Sequence, residues 1–161
     1  MSPLTDSNAL LVSDVMDLLR ASPELAAWDP SWSGGRKVFE GLTDGLSGAR
    51  NLGRLPFVEV GYATAEREEV STADYTGRLA LRLRCRCRRQ VGGTGDGVRA
   101  GEMLERIERT LADALHGGTV NCRTLRNGTA AVVSGPRAEA DGRALVFDVA
   151  LEWTAPAGRP V

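Results

Sequence analysis

Tyr75-Thr76-Gly77-Arg78-Leu79-Ala80-Leu81-Arg82-Leu83-Arg84-Cys85-Arg86-Cys87-Arg88 is the stretch on which the reading of the fold turns. Leu79, Leu81, Leu83, Cys85 and Cys87 fall on one side of a period-two repeat, and Arg78, Ala80, Arg82, Arg84, Arg86 and Arg88 on the other. Successive side chains of a β-strand point to opposite faces, whereas a helix would scatter both sets around its circumference. The segment from Asp74 to Arg89 is therefore a strand with one apolar face for a core and one charged face.

Toward the C-terminus, Gly92 to Gly97 reads as a flexible connection with Asp96 as a cap. Beyond it, Met103, Leu104, Ile107, Leu111, Ala114 and Leu115 recur at helical spacing and predict a helix over Glu102 to His116, ended by Gly117-Gly118. Asn127-Gly128 between Thr119–Arg126 and Thr129–Ser134 is a short hairpin signal. Asp141-Gly142 opens a last strand with Leu145, Phe147, Val149, Leu151 and Trp153 inward and Asp148 and Glu152 outward. Toward the N-terminus, Leu11, Val15, Leu18 and Leu19 predict a first helix over Asn8 to Ala21, with Asp6 and Ser7 as N-cap candidates. Ser22-Pro23-Glu24 then opens a short helical turn. Pro56 to Tyr62 reads as a strand that the charges Glu66 to Glu69 interrupt. Between these lies a glycine-rich segment, about 29–54, expected to be mobile and to hold one short strand at Lys37-Val38-Phe39-Glu40.

Strands joined by short turns, with alternating faces and few helices, give an α+β fold: a mainly antiparallel sheet with two main helices packed on one face. The 161 residues are read as a single domain, with a frayed tail over 155–161. The same alternation places Leu81 and Phe147 on one side of the sheet beneath the Met103 to Leu115 stripe.

Twenty basic residues against 21 acidic ones give a net charge of −1, which argues against a broad field of one sign and so against a general nucleic-acid or membrane binder, while local stripes are still allowed. Only Lys37 among the basic residues is a lysine. Three cysteines, Cys85, Cys87 and Cys122, cannot complete a disulfide set and suit a reducing compartment. The N-terminus has no signal-peptide pattern, and no apolar run approaches the ~20 residues of a membrane span. Cytoplasmic synthesis is the expectation.

The search for chemistry finds no catalytic, cofactor-binding or metal-ligating set. His116, the single histidine, sits where a helix ends and faces its dipole or solvent. Cys85, Cys87, Cys122 and His116 match the number of ligands of a zinc site. Cys85 and Cys87, however, continue the apolar face begun by the leucines and lack the turn that pairs zinc ligands. Gly95-Asp96-Gly97-Val98-Arg99-Ala100 has the form of a dinucleotide fingerprint, but the strand before it bears arginines along one face and no acid closes a second strand. Lys37 has neither the glycine before it nor the Ser or Thr after it of a phosphate loop.

The unusual feature is the row Arg82, Arg84, Arg86 and Arg88, about 20 Å of one strand face at ~3.3 Å per residue. Cross-strand acids such as Asp148, Glu152 or Glu59 offer partial neutralisation. Asp148 and Glu152 alone are too few for the row, which makes these arginines candidates for an interface with a neighbouring subunit or with the backbone of DNA. Charge reversal at Arg84 and Arg86 is then expected to leave a folded subunit.

Taken in order, these pieces resemble the tail terminator or tail completion proteins of long-tailed bacteriophages, also called neck or head-tail joining proteins. The resemblance rests on the Ala- and Leu-bearing first helix ending in Ser22-Pro23-Glu24-Leu25-Ala26-Ala27, then Gly34-Gly35-Arg36-Lys37-Val38-Phe39 and Leu55-Pro56-Phe57-Val58-Glu59-Val60. It continues through the alternating strand, the helix Glu102 to Gly117 and the closing Phe147-Asp148-Val149-Ala150-Leu151-Glu152-Trp153. It implies a small structural subunit, not an enzyme, with no cofactor. Such a subunit forms a homo-oligomeric, six-membered ring that terminates the tail tube, meets the tail tube protein and the head connector protein, and contacts passing double-stranded DNA transiently. Its implied location is the host cytoplasm during assembly and then the neck of the virion tail. The alternatives are a monomeric double-stranded DNA-binding module using the Arg82 to Arg88 face, another neck or tube structural protein, and an enzyme built on His116, Cys122 and the Gly95 loop.

Overall fold

The protein is described by a computed structural model for residues 3–33, 36–43, 54–69, 75–89, 95–115, 119–120, 123–124, 126–139 and 143–156. A five-stranded sheet is its centre, in the spatial order β1-β2-β3-β7-β6, with β1 Val38–Glu40, β2 Phe57–Glu69, β3 Tyr75–Arg88, β6 Arg126–Ala138 and β7 Ala144–Pro156. Only the β1–β2 pair is parallel. The other pairs are antiparallel. A separate two-stranded ladder joins β4 Thr119–Val120 to β5 Arg123–Thr124. The helices are α1 Pro3–Arg20, α2 Pro23–Trp28, α3 Asp96–Thr110 and α4 Ala112–Leu115, with a 3-10 turn at Pro30–Ser33. The chain is thus α+β with a mostly antiparallel sheet.

The apolar face of β3 meets that of β7 residue against residue, Cys85 opposite Phe147, Leu83 opposite Val149 and Leu81 opposite Leu151. Leu81, Phe147, Met103, Ile107 and Leu111 share one buried cluster with Val12, Val15 and Leu19 of α1, so α1 and α3 cover the same side of the sheet. Burial of such faces, at ~25 cal/mol per Å², is what holds helices to sheet. Ser22 caps α2, its hydroxyl accepting from the Leu25 amide at 3.1 Å. Trp32 is anchored under α1 by its indole N–H, which donates to the Leu19 carbonyl at 2.8 Å.

Several boundaries differ from the sequence reading. Asp6 and Ser7 lie inside α1, which begins at Pro3, a residue whose missing N–H suits a first turn. β2 runs through Glu66 to Glu69, its antiparallel register with β3 continuing from Glu66 opposite Arg78 to Glu69 opposite Tyr75. α3 begins at Asp96, ahead of the expected Glu102, with Gly95 and not Asp96 as its cap in the left-handed region, φ 84°, so Asp96 and Gly97 are helix and not connection. Residues 155 and 156 belong to β7, opposite Gly77 and Thr76, and the tail over 157–161 lies outside the described residues. Of the glycine-rich segment, 34–35 and 44–53 also lie outside them.

Asn127-Gly128 is not a hairpin turn but part of β6, at a register shift between Arg126 and Thr129. A Cβ on Gly128 would overlap the Leu115 carbonyl oxygen and Cα, so the glycine serves a close approach of strand to helix end. Gly128→Ala is therefore expected to destabilise by about 1–3 kcal/mol, the cost of forcing backbone apart in a packed site. Urea titration followed by circular dichroism measures it, and an unchanged midpoint would remove the steric argument.

Candidate functional site

The arginine row divides in two when its neighbours are placed. On the face opposite the helices, Glu59 of β2 stands opposite Arg84, and Asp148 of β7 stands opposite it on the other side. Arg84 makes a two-pronged ion pair with Asp148, Nε to Oδ1 at 2.9 Å and Nη2 to Oδ2 at 3.0 Å. This fork-to-carboxylate geometry is the strong form of an arginine ion pair. Arg86 reaches diagonally to Glu59 through Nη1 and donates from Nε to Glu139 at 2.6 Å. The Arg86 side chain is 1% exposed and that of Glu59 is 0% exposed.

Thr43 joins both arginines to the loop after β1. Its carbonyl accepts from Arg84 Nη1 and from Arg86 Nη2, each at 2.7 Å. Its hydroxyl donates to Glu59 at 2.6 Å and its amide to the same carboxylate at 3.2 Å. The Phe57 ring lies 5.6 Å from the Arg86 guanidinium and belongs to a small apolar cluster with Phe39, Leu55 and Ala144. Five charged groups and a threonine thus close this face of the sheet over β2, β3 and β7, each satisfying another.

Arg84 and Arg86, candidates from the sequence for an interface with a subunit or DNA, are thus placed against carboxylates of their own chain. Asp148 takes Arg84, and Glu59, Glu139 and the Thr43 carbonyl share the neutralisation of the row with it. Asp148, expected to point outward, is 2% exposed. Glu59 was legible as a cross-strand acid. Glu139 and Thr43 were not, since neither lies in a pattern that links it to β3. Arg82 is half-buried with its Nε lacking a partner among the described residues, and Arg88 is exposed.

Cys85 and Cys87 are buried in the helix-side core. Burial pushes the Cys85 thiol well above its ordinary pKa, reinforced by the Cys87 and Asp148 charges against the pull of Arg86. A thiol held protonated is a poor metal ligand and nucleophile. His116 and Cys122 lie outside the described residues. Among the described residues no group of three or more His, Cys, Asp or Glu side chains is placed to hold a metal ion. Gly95 caps a helix packed on the sheet, and its carbonyl accepts from the Arg99 amide at 2.9 Å as any first turn does. No helix of the described residues is long and apolar enough to cross a membrane.

No family model matches the chain, and no curated protein matches it in sequence. Among solved structures, the fold is similar to a chain from the virion of a native gene transfer agent particle. That match has a TM-score of 0.51 at 17% identity and covers 88% of this chain and 91% of the other. A second solved chain, at 14% identity and covering 90% of this chain and 97% of its own, aligns with a TM-score of only 0.38 and carries no argument.

Proposed function

We propose that this protein is a structural subunit of a phage or phage-like particle tail, a non-enzymatic component that forms a ring, terminates the tail tube and joins it to the head connector. The observation that carries the reading is the likeness of fold, over nearly the whole length of both chains, to a chain from the virion of a gene transfer agent particle. The order of elements resembles the tail terminator family in the same way. The sheet edge lends support: β6 leaves Val132 41% and Val133 48% exposed, at a register shift between Val132 and Ser134. β6 is paired only with β7 in the sheet order, and the stretch Thr129 to Ser134 of this edge carries no charge, which suits a subunit that assembles.

On this reading the partners are further copies of the chain in a six-membered ring, the tail tube protein and the head connector protein. The place of work is the host cytoplasm during assembly and then the neck of the virion. Arg82, half-buried with its Nε lacking a partner among the described residues, is the residue of that row proposed to meet a neighbouring subunit. Native mass spectrometry tests the reading directly, with a closed ring of subunits expected. A protein that remains monomeric at concentrations of assembly, together with normal tail lengths in particles that lack it, would sink the proposal.

A further inference from the structure

Following the register across the sheet brings together positive charges that are scattered along the chain. Arg88 and Arg89 close β3, and the Arg89 amide donates to the Arg143 carbonyl just before β7. Arg137 stands opposite Val146 near the end of β6. β1 and β2 are parallel to each other and antiparallel to β3, so both begin at this same end. Arg36 and Lys37 therefore arrive there just before β1, and Arg54 just before β2. Lys37 Nζ donates to the Arg54 carbonyl at 2.9 Å. Its pKa is lowered, first by burial and then, against the pull of Asp29, by the charges of Arg88 and Arg54.

Arg36, Arg54, Arg88, Arg137 and Arg143 are exposed. The described acids bordering this end are already engaged, Asp29 with Arg99 and Ser31, and Glu139 with Arg86. Among the described acids of the helical layer, Glu108 is exposed and Asp14 half-buried while the others are held by partners, so this layer offers little acidic surface from a second copy. There Glu24 meets Arg106 and Arg109, Glu105 meets Arg109, Asp17 meets Arg20, and Glu102 meets Arg99 and the Trp28 indole. The aromatic rings described at the basic end, Trp32, Phe39 and Phe57, are buried and offer no platform on which a single-stranded base could stack. Neighbouring strands lie ~4.8 Å apart, so β1 to β6 spans about 19 Å. One strand of a duplex presents about five or six phosphates over that length.

We propose that this end of the sheet, formed by Arg36, Arg54, Arg88, Arg137 and Arg143, binds the phosphate backbone of double-stranded DNA without reading its sequence. Arginine carries its charge at every working pH and pairs its planar fork with phosphate oxygens. The surface adjoins the buried Arg84 and Arg86 network at Glu139 but uses none of its side chains, and its binding does not depend on ring closure.

The test is fluorescence anisotropy of a labelled 30-base-pair duplex titrated with the full chain between 50 and 200 mM salt. With about four phosphates neutralised, log K falls with log salt at a slope of about −3.6, an affinity loss of about 10²-fold across that range. Arg54→Ser with Arg88→Ser removes two exposed side chains that have no partner among the described residues. It is expected to weaken binding about tenfold or more at 50 mM salt and to reduce the slope by about two. Arg106→Ser with Arg109→Ser removes the same charge from the helical layer and should bind like the parent. Circular dichroism checks each fold, and Arg36→Ser with Arg137→Ser carries the same expectation should the first pair not fold. An absence of binding at 50 mM salt, an equal loss in the control pair, or an unchanged basic-end variant overturns the proposal. So does equal affinity for polyglutamate, which would mark an acidic protein as the partner.

Discussion

Replacing Arg86 with Met is expected to lower the unfolding free energy by about 3–5 kcal/mol, although the new side chain fills much of the same space. The loss comes from what remains. Glu59, with a fully buried side chain, keeps the Thr43 contacts and loses its Arg86 ion pair, and Glu139 loses its Arg86 partner on the other side. A buried ion pair adds little net stability over an apolar pair, but an uncompensated buried charge is costly. Glu59→Met with Arg86→Met together should therefore cost less than the sum of the two single changes, by at least 1 kcal/mol. Charge reversal at Arg86 would be worse, since it sets a carboxylate against two others. Urea denaturation of the single and double variants measures all of this. A loss below about 1 kcal/mol for Arg86→Met, the size of an exposed ion pair, would mean that water reaches the network.

Phe147→Ala is expected to cost about 3–5 kcal/mol, the range for an aromatic removed from a close-packed core. Phe147 lies opposite Cys85 at the centre of the sheet, 1% exposed and beneath the helices. For a chain of this length that loss lowers the melting temperature by on the order of 10 °C. Val132→Ala on the neighbouring β6 should change stability by less than about 0.5 kcal/mol, because that side chain is already 41% exposed. Calorimetry of the two variants provides the contrast. A mild Phe147→Ala would show that the α3 stripe does not close over β7.

The helix and strand types were readable in the chain because they are written as short-range periodicities. Leu81 to Cys87 alternates over a few residues, and Met103, Ile107 and Leu111 repeat within two helical turns, so sterics and burial of one face decide each element locally. Boundaries were less readable. Asn127-Gly128 has the chemistry of a turn, yet tertiary contact with Leu115 made Gly128 a strand residue under close approach. Glu66 to Glu69 look like a break until Arg78 is placed across from the first of them.

What the sequence alone determined is therefore the α+β class, the alternation of β3 and β7 and the apolar side on which α1 and α3 settle. The fate of the arginines was decided only by the tertiary structure. Arg86 meets Glu59, Thr43 and Glu139 across 27, 43 and 53 residues of chain. The basic end of the sheet likewise assembles only once strand order and direction are set. A charge's environment depends on which strand lies beside it, and register across a sheet follows from packing of whole faces, which no local pattern encodes.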